Sequence, residues 1–130
     1  MKQITKVETG QAPQAIGPYS QAIIAGEWVF CSGQIAIDPQ TQDLIVGGIK
    51  KQTERVLKNL ESILEAADSS LSLVVKTEIY LKNLSDFQGL NEVYADFFPG
   101  EHQPARATVE VSGLPKNALI EISCVALINH

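Results

Sequence analysis

The chain has 130 residues, of which 45% are hydrophobic and 19% are charged, and its formal net charge is −5. This length and composition predict one globular domain spanning residues 1–130. The acidic balance argues against a nucleic-acid partner, because a protein that binds nucleic acid normally presents a basic face to the phosphates.

The sequence predicts neither a membrane span nor a metal site. No apolar run approaches the ~20 residues of a membrane helix, and the start of the chain lacks the apolar block of a secretory signal, so we expect a cytoplasmic protein. Cys31 and Cys124 are too few for a disulfide scaffold, and with only His102 and His130 beside them no metal-ligand set or cofactor motif is visible. Both cysteines lie in apolar runs typical of buried strands.

The first predicted element is a β-hairpin. Residues 21–24 and 28–32 are rich in β-formers and are separated by Ala25-Gly26-Glu27. Gly33 interrupts the second run before residues 35–37 resume it, which indicates a bulge or a close approach of the backbone to another group. Residues 38–41, with the sequence Asp-Pro-Gln-Thr, predict a turn.

Two amphipathic helices follow in the middle of the chain. From Ile49 to Ala67, apolar residues recur every three or four positions, and the basic side chains on the other face are interleaved with Glu54 and Glu61, as on a solvated helix. The second helix has Ser85 or Asp86 as its cap and ends at Pro99-Gly100. Its apolar stripe consists of Phe87, Leu90, Tyr94, Phe97 and Phe98.

Strands complete the pattern. Residues 74–82 alternate, with Val75, Thr77, Ile79 and Leu81 on the predicted buried face, and strands follow at about 105–111 and 119–128. The order of elements predicts an α+β fold, a mixed sheet with both helices packed on one face. The opposite face would be left partly apolar and uncovered, which favours self-association.

Arg106 and Glu121 are the charged residues most suggestive of a site. Arg106 is one of two arginines and stands at the head of a strand, where its planar donors could hold a carboxylate; a structural ion pair with Glu110 or Glu121 is the alternative. Glu121 lies between two isoleucines, so it either faces solvent or is a partly desolvated carboxylate that could orient or deprotonate a water.

Neutral groups supply the remaining candidates. Tyr19 follows a rigid Gly-Pro turn, Ser32 and Gly33 offer a hydroxyl and an unencumbered amide, and Asn91 interrupts an apolar stripe. Each also has a structural explanation: Tyr19 could pack at a strand edge, and Asn91 could satisfy nearby backbone. No base is placed to make Ser32 or Cys31 a nucleophile, so these residues alone leave the function open.

Several motifs together resemble the RidA (YjgF-type) family over most of the chain. They keep their order and spacing from Ile16 to Ala126, and they are Ile16-Gly17-Pro18-Tyr19-Ser20-Gln21, Ser32-Gly33-Gln34, Asn91-Glu92-Val93-Tyr94, Pro104-Ala105-Arg106, Val109-Glu110-Val111 and Leu114-Pro115-Lys116 with Ile120-Glu121-Ile122. The resemblance implies a chorismate-mutase-like α+β fold and a homotrimer with a site in each cleft between subunits. It also implies a cofactor-independent 2-iminobutanoate/2-iminopropanoate deaminase that releases 2-keto acids and ammonia.

Carried over to this chain, the resemblance makes Arg106 the carboxylate-binding residue and Glu121 the water-positioning one. Tyr19, Ser32, Gly33 and Asn91 match further pocket positions, and a backbone carbonyl at Ala107 or Thr108 would accept the iminium proton. Two departures are visible: Thr108 stands where many members have cysteine, and Gly113 stands where many have arginine. The first bears on turnover, and the second bears on substrate preference more than on reaction type.

Two other functions remain open at this stage. The same clefts could belong to a non-catalytic module that holds small carboxylate metabolites. A ribonuclease or translation inhibitor, an older assignment within the family, is disfavoured by the acidic balance and the lack of a basic stripe.

Overall fold

A six-stranded mixed sheet forms the body of the computed structural model, which describes residues 3–129. Met1, Lys2 and His130, which entered the arguments on targeting and metal ligands, lie outside the described residues. The strands are β1 (Ile4–Val7), β2 (Ala22–Ala25), β3 (Trp28–Gln34), β4 (Val74–Leu81), β5 (Ala105–Glu110) and β6 (Ile120–Leu127). Their order is β1-β2-β3-β6-β4-β5, with β4 and β5 parallel and the other pairs antiparallel.

The predicted hairpin is confirmed as β2 and β3, with Gly26 at φ 62 in the turn between them. The register shifts between Cys31 and Gln34, which confirms the bulge expected at Gly33. Strand β1 was not predicted. It pairs only with β2, and Ile4, Thr5 and Lys6 are all exposed, so it shows no alternation of buried and exposed residues.

Both predicted helices are confirmed, as α1 (Gly48–Ala66) and α2 (Phe87–Phe97). Helix α1 presses its apolar stripe onto β3 and β6, with Val56, Leu57, Leu60, Ile63 and Leu64 at most 1% exposed. Asn59 is fully buried in this stripe, and its side-chain amide donates to the carbonyls of Ile35 and Ile37. This contact ties the segment after β3 to the helix, because an unpaired buried amide would be costly.

Two sequence predictions were wrong in detail. Val75 was expected on the buried face of β4 but is 37% exposed, because the register shifts between Val74 and Lys76 and turns Val74 inward instead. Residues 35–37 do not resume β3 as a strand. Ile37 makes only an isolated bridge to Leu44, since the carbonyls of Ile35 and Ile37 are occupied by Asn59.

The sheet has one covered face and one open face. Along β6, Ile120, Ile122, Cys124 and Ala126 are buried under the helices, while Glu121, Ser123, Val125 and Leu127 point to the open side. Trp28 and Phe30 pair with Leu127 and Val125 and are 42% and 48% exposed, so they add large apolar groups to this open face. The uncovered face is as predicted, and self-association through it stays a prediction.

The two cysteines are buried in strands, as their apolar surroundings predicted. Cys31 and Cys124 face each other across β3 and β6 as free, buried thiols. Between residues 3 and 129, neither a helix able to cross a membrane nor a cluster of metal-binding side chains occurs.

Candidate active site

Arg106 lies near the start of β5 and points toward helix α2. Its Cα partner on β4 is Thr77, which is fully buried under the helices, so Arg106 shares the helix-covered face. One terminal nitrogen, Nη1, donates a hydrogen bond of 2.8 Å to Oδ1 of Asn91. The guanidinium carbon stands 5.0 Å from the ring centroid of Tyr94 and 5.4 Å from that of Phe87.

The three partners of Arg106 lie on one face of α2. Phe87, Asn91 and Tyr94 are spaced four and three residues apart, which places them in a row along the helix surface. Asn91 was expected by default to satisfy nearby backbone, and it instead accepts from Arg106. The amide fixes one edge of the planar guanidinium, and the two rings hold it by cation–π attraction.

The guanidinium keeps donors for a ligand. Among residues 3–129 no carboxylate forms an ion pair with Arg106, and the alternative partner Glu110 accepts instead from the backbone N–H of Leu84. Only the Nη1 bond to Asn91 is made within the described chain. Since an arginine carries five donors in a fixed fork, the remaining ones suit a carboxylate.

The backbone of β5 offers an acceptor beside Arg106. Strand β5 is an edge strand, and the N–H of Val111 donates to the carbonyl of Leu81 on β4. Residues two apart in a strand point their backbone N–H and C=O groups the same way, so Ala107, like Val111, points these groups at β4. Those of Thr108 point the other way, to the free edge of the sheet. The carbonyl of Thr108 is therefore the available one of the two candidates.

The side chain of Thr108 is separate from this acceptor. Its Cα partner Ile79 is buried on the helix-covered face, and its own Oγ1 is buried without a hydrogen-bond partner in the described structure. A hydroxyl in such a place contributes packing but no contact at the strand edge. The Thr108 side chain therefore affects the interior and leaves the backbone carbonyl at the strand edge in place.

Glu121 lies on the open face against the bulge of β3. A Cβ added to Gly33 would stand 2.8 Å from Cδ of Glu121 and closer still to Oε2, so any other residue would displace this carboxylate from its position. The predicted close approach at Gly33 is thus confirmed, and its partner is Glu121. Burial raises the pKa of the Glu121 carboxyl above its usual value of 4.5, which brings the carboxylate nearer the range useful to a general base.

A cavity of about 410 Å³ opens beside Glu121. Gly33, Tyr19 and Lys116 contribute to its wall, with Ile16 and Pro115 as apolar neighbours. Tyr19 is 52% exposed, and its hydroxyl accepts from the backbone N–H of Ile16 at 3.3 Å. Buried Gln21 shapes the same wall by donating to the carbonyls of Thr9, Ala12 and Pro13.

Ser32 has a structural contact in this region. Its hydroxyl donates a 2.6 Å hydrogen bond to the carbonyl of Ser20, and its backbone N–H donates to the carbonyl of Gln21. Both bonds hold the segment that carries Tyr19 against β3. In the single chain Ser32 thus supports the cavity wall.

The predicted site residues form two groups on opposite faces of the sheet. Arg106, Asn91 and the edge of β5 at Thr108 lie on the side of α2, and we call them the arginine half-site. Glu121, Gly33 and Tyr19 lie around the cavity on the open side, and we call them the glutamate half-site. One chain does not bring Arg106 and Glu121 together, because their side chains leave the sheet in opposite directions.

Sequence reasoning missed the aromatic part of the arginine half-site. Phe87 and Tyr94 were assigned only to the apolar stripe of α2, although Phe87 is 40% exposed beside Arg106. The available signal was the polar Asn91 within that stripe, which marks the face on which a charged partner packs.

Comparisons with known proteins identify relatives that span most of the chain. Residues 9–128 match the family model described as endoribonuclease L-PSP. A RutC family protein from Pyrococcus horikoshii is 54% identical over 97% of this chain and 98% of its own length. The chloroplastic Reactive Intermediate Deaminase A of Arabidopsis thaliana is 49% identical over 92% of this chain and 64% of its own length.

A solved structure extends the likeness to three dimensions. The structure of Escherichia coli TdcF with bound serine superimposes with a TM-score of 0.91 at 37% identity. The superposition covers 96% of this chain and 99% of that one. The mixed sheet with two helices is therefore an arrangement that this chain shares with that protein.

Proposed function

Because this chain belongs to the endoribonuclease L-PSP family, which includes the Rid proteins it resembles, we propose that it hydrolyses 2-imino acids to 2-keto acids and ammonia. The relative named Reactive Intermediate Deaminase A supports a deaminase of the Rid type. The particular substrates, 2-iminopropanoate and 2-iminobutanoate with their enamine tautomers, are our proposal. The observation that carries it is a guanidinium held ready for a carboxylate, with a half-buried carboxylate as the second charged group.

The proposed site lies between two copies of the chain. The arginine and glutamate half-sites are on opposite faces of one sheet, so a small substrate cannot contact both within one chain. A substrate that contacts Arg106 and Glu121 together must lie between protomers. The open face, with Trp28 and Phe30 exposed, supplies an apolar surface for such contact. A cyclic homotrimer would repeat this cleft three times with the same pair of surfaces.

The chemistry needs no covalent nucleophile. Arg106 would hold the substrate carboxylate through the donors that Asn91 leaves unused. The Thr108 carbonyl at the free edge of β5 would accept a hydrogen bond from the imine N–H and so favour the protonated, more electrophilic iminium.

Glu121 would act on water. As the water oxygen bonds to the iminium carbon, the carboxylate takes one proton, and the C=N electrons move to nitrogen. Glu121 would then return that proton to the amine of the carbinolamine. As the C–N bond breaks and the C=O of the 2-keto acid forms, the hydroxyl proton would pass to Glu121, which would give it to the departing ammonia. One positioned acid–base group of this kind contributes about 10²–10⁴-fold, and the substrate is already reactive in water.

A nucleic-acid substrate is not supported by the charge distribution. Lys50 pairs with Glu92 at 2.5 Å, and Lys58 lies 3.9 Å from Glu54, so the basic side chains of α1 are interleaved with acidic ones. A ribonuclease that binds RNA through phosphates would need a continuous positive surface.

A coupled assay tests the proposal. A pyridoxal-phosphate-dependent dehydratase acting on threonine or serine generates the enamine. The rate at which the enamine and its imine tautomer disappear is then measured with and without this protein. We expect micromolar protein to accelerate imine loss and keto-acid appearance, Arg106→Ala to abolish the acceleration, and Arg55→Ala, at the other arginine, to retain it. Absence of acceleration would overturn the deaminase proposal. Binding of 2-oxobutanoate without turnover would instead favour a module that only holds small carboxylates.

A further inference from the structure

Tyr94 lies between the sheet and Arg106, and the proposed chemistry gives it no role. It is 5% exposed, its ring centroid is 5.0 Å from the guanidinium carbon of Arg106, and its hydroxyl shares a 2.7 Å hydrogen bond with Thr77. Thr77 is fully buried and is the Cα partner of Arg106 across β4 and β5. Arg106, Thr77 and Tyr94 thus form a closed set of contacts.

We propose that Tyr94 is a positioning residue, whose ring, locked by the hydroxyl of Thr77, fixes the guanidinium of Arg106 in the orientation that receives a substrate carboxylate. The kinetic part of this inference rests on the proposed function; the structural part does not. Tyr94 touches no substrate in this account and acts only through Arg106.

The contacts with Asn91, Tyr94 and Thr77 each restrict a different motion of the Arg106 guanidinium or of the ring beside it. Asn91 fixes Nη1 at one edge of the guanidinium, but a single hydrogen bond still allows the plane to rotate about it. The ring face of Tyr94 opposes that rotation, because a cation is attracted to the face of an aromatic ring and not to its edge. The bond to Thr77 in turn fixes the ring, since both hydroxyls are buried and neither finds water if the bond breaks.

Phe98 offers a matched control. It is also 5% exposed, it lies at the end of the same helix, and its ring centroid is 4.6 Å from that of Tyr94 on a contact that does not involve Arg106. Replacing either aromatic residue by leucine removes comparable buried apolar surface, but Tyr94→Leu also leaves the buried Thr77 hydroxyl without a partner and should lose more stability. Of these two variants, only Tyr94→Leu removes a ring that faces Arg106, and both leave the Phe87 ring in place.

Two measurements test the proposal. With the imine substrate, Tyr94→Leu should raise KM about tenfold with little change in kcat, because the arginine contact is equally strong in the ground and transition states. Tyr94→Phe keeps the ring and should raise KM less, and Phe98→Leu should leave KM within about twofold of the wild type despite its lower melting temperature.

The second measurement needs no turnover. The chain has two arginines, so the ¹⁵N relaxation of their Nε–H groups gives two signals, with Arg55, bonded to Asn59, as the internal reference. We expect the order parameter of Arg106 to fall in Tyr94→Leu and to be unchanged in Phe98→Leu, with Arg55 constant in both. An unchanged Arg106 order parameter in Tyr94→Leu, or an equal fall in Phe98→Leu, would overturn the positioning role. If the wild type does not accelerate imine loss, the proposed function fails while this relaxation result still decides the role of Tyr94.

Discussion

The substitution Gly33→Ala tests how closely the glutamate half-site is fitted. The added Cβ would stand 2.8 Å from Cδ of Glu121, about 0.6 Å short of the 3.4 Å at which ordinary contact begins, and Oε2 is closer still. The φ of Gly33 is not in the left-handed region, so alanine brings no backbone strain there. The carboxylate is the group that must move.

A displacement of this size should affect catalysis far more than stability. Misplacing a catalytic group by about 1 Å can cost about 10²-fold, so we expect kcat to fall about 10- to 100-fold with KM little changed, because Arg106 is untouched. The free energy of unfolding should change by less than about 1 kcal/mol, since the far end of a flexible side chain can shift at small cost.

The coupled dehydratase assay measures this effect, with Gly100→Ala as the matched control. An alanine Cβ at Gly100 meets nothing nearer than the His102 carbonyl oxygen at 4.0 Å, so its activity should equal that of the wild type. In a Glu121→Ala background, Gly33→Ala should add no further loss, because its effect passes through the carboxylate. A wild-type kcat in Gly33→Ala would refute the reasoning. So would a Gly33→Ala substitution that lowers kcat as much in the Glu121→Ala background as in the wild type.

Three further substitutions separate the roles of the two half-sites. Arg106→Lys should lower kcat/KM by about 10²-fold through loss of the bidentate contact, measured in the same assay, and a loss below about threefold would argue against a carboxylate clamp. Burial raises the pKa of Glu121, so the wild-type rate should begin to fall at a pH above 4.5 as the solution is acidified. The same raised pKa means that the folded chain loses stability as the pH rises and Glu121 becomes ionised. Glu121→Gln should therefore lose activity yet raise the melting temperature more at pH 8 than at pH 4, and an equal shift at both would contradict the assignment. Thr108→Val should raise the free energy of unfolding by about 1 kcal/mol in urea titrations, since it removes a buried hydroxyl without a partner, and should keep activity because the backbone carbonyl is retained; loss of activity would show that the hydroxyl takes part.

The main elements of the fold could be predicted because their patterns are local. The apolar period of α1 and the alternation along β6 depend on side chains within one element, and both appear as expected. Strand β1 could not be predicted, since its residues are exposed and only the neighbouring β2 makes it a strand. The misplacement of Val75 has a similar origin, because the register shift beside it is set by pairing with β6.

In the candidate site, too, the residues that stand out locally could be predicted, whereas the contacts between elements could not. Arg106, Glu121 and Gly33 were identified as residue types out of place in their surroundings, and family motifs assigned them roles. The cradle of Phe87 and Tyr94 depends on how α2 packs against β5, which no local pattern reports. Nor could the sequence show that Arg106 and Glu121 leave the sheet on opposite faces, since that follows from the pairing of Thr77 with Arg106 and of Tyr80 with Glu121.

The central claim, that an arginine half-site of one copy meets a glutamate half-site of another, is tested most directly by subunit mixing. Arg106→Ala and Glu121→Ala chains, each with only residual activity alone, are unfolded, combined in equal amounts and refolded, and mixed assembly is verified by native mass spectrometry. If clefts form between copies, one cleft in four receives both intact residues, so activity should return to about one quarter of the wild-type value per chain. Mixed assemblies that remain inactive would contradict the account, because every site would then lie within a single chain.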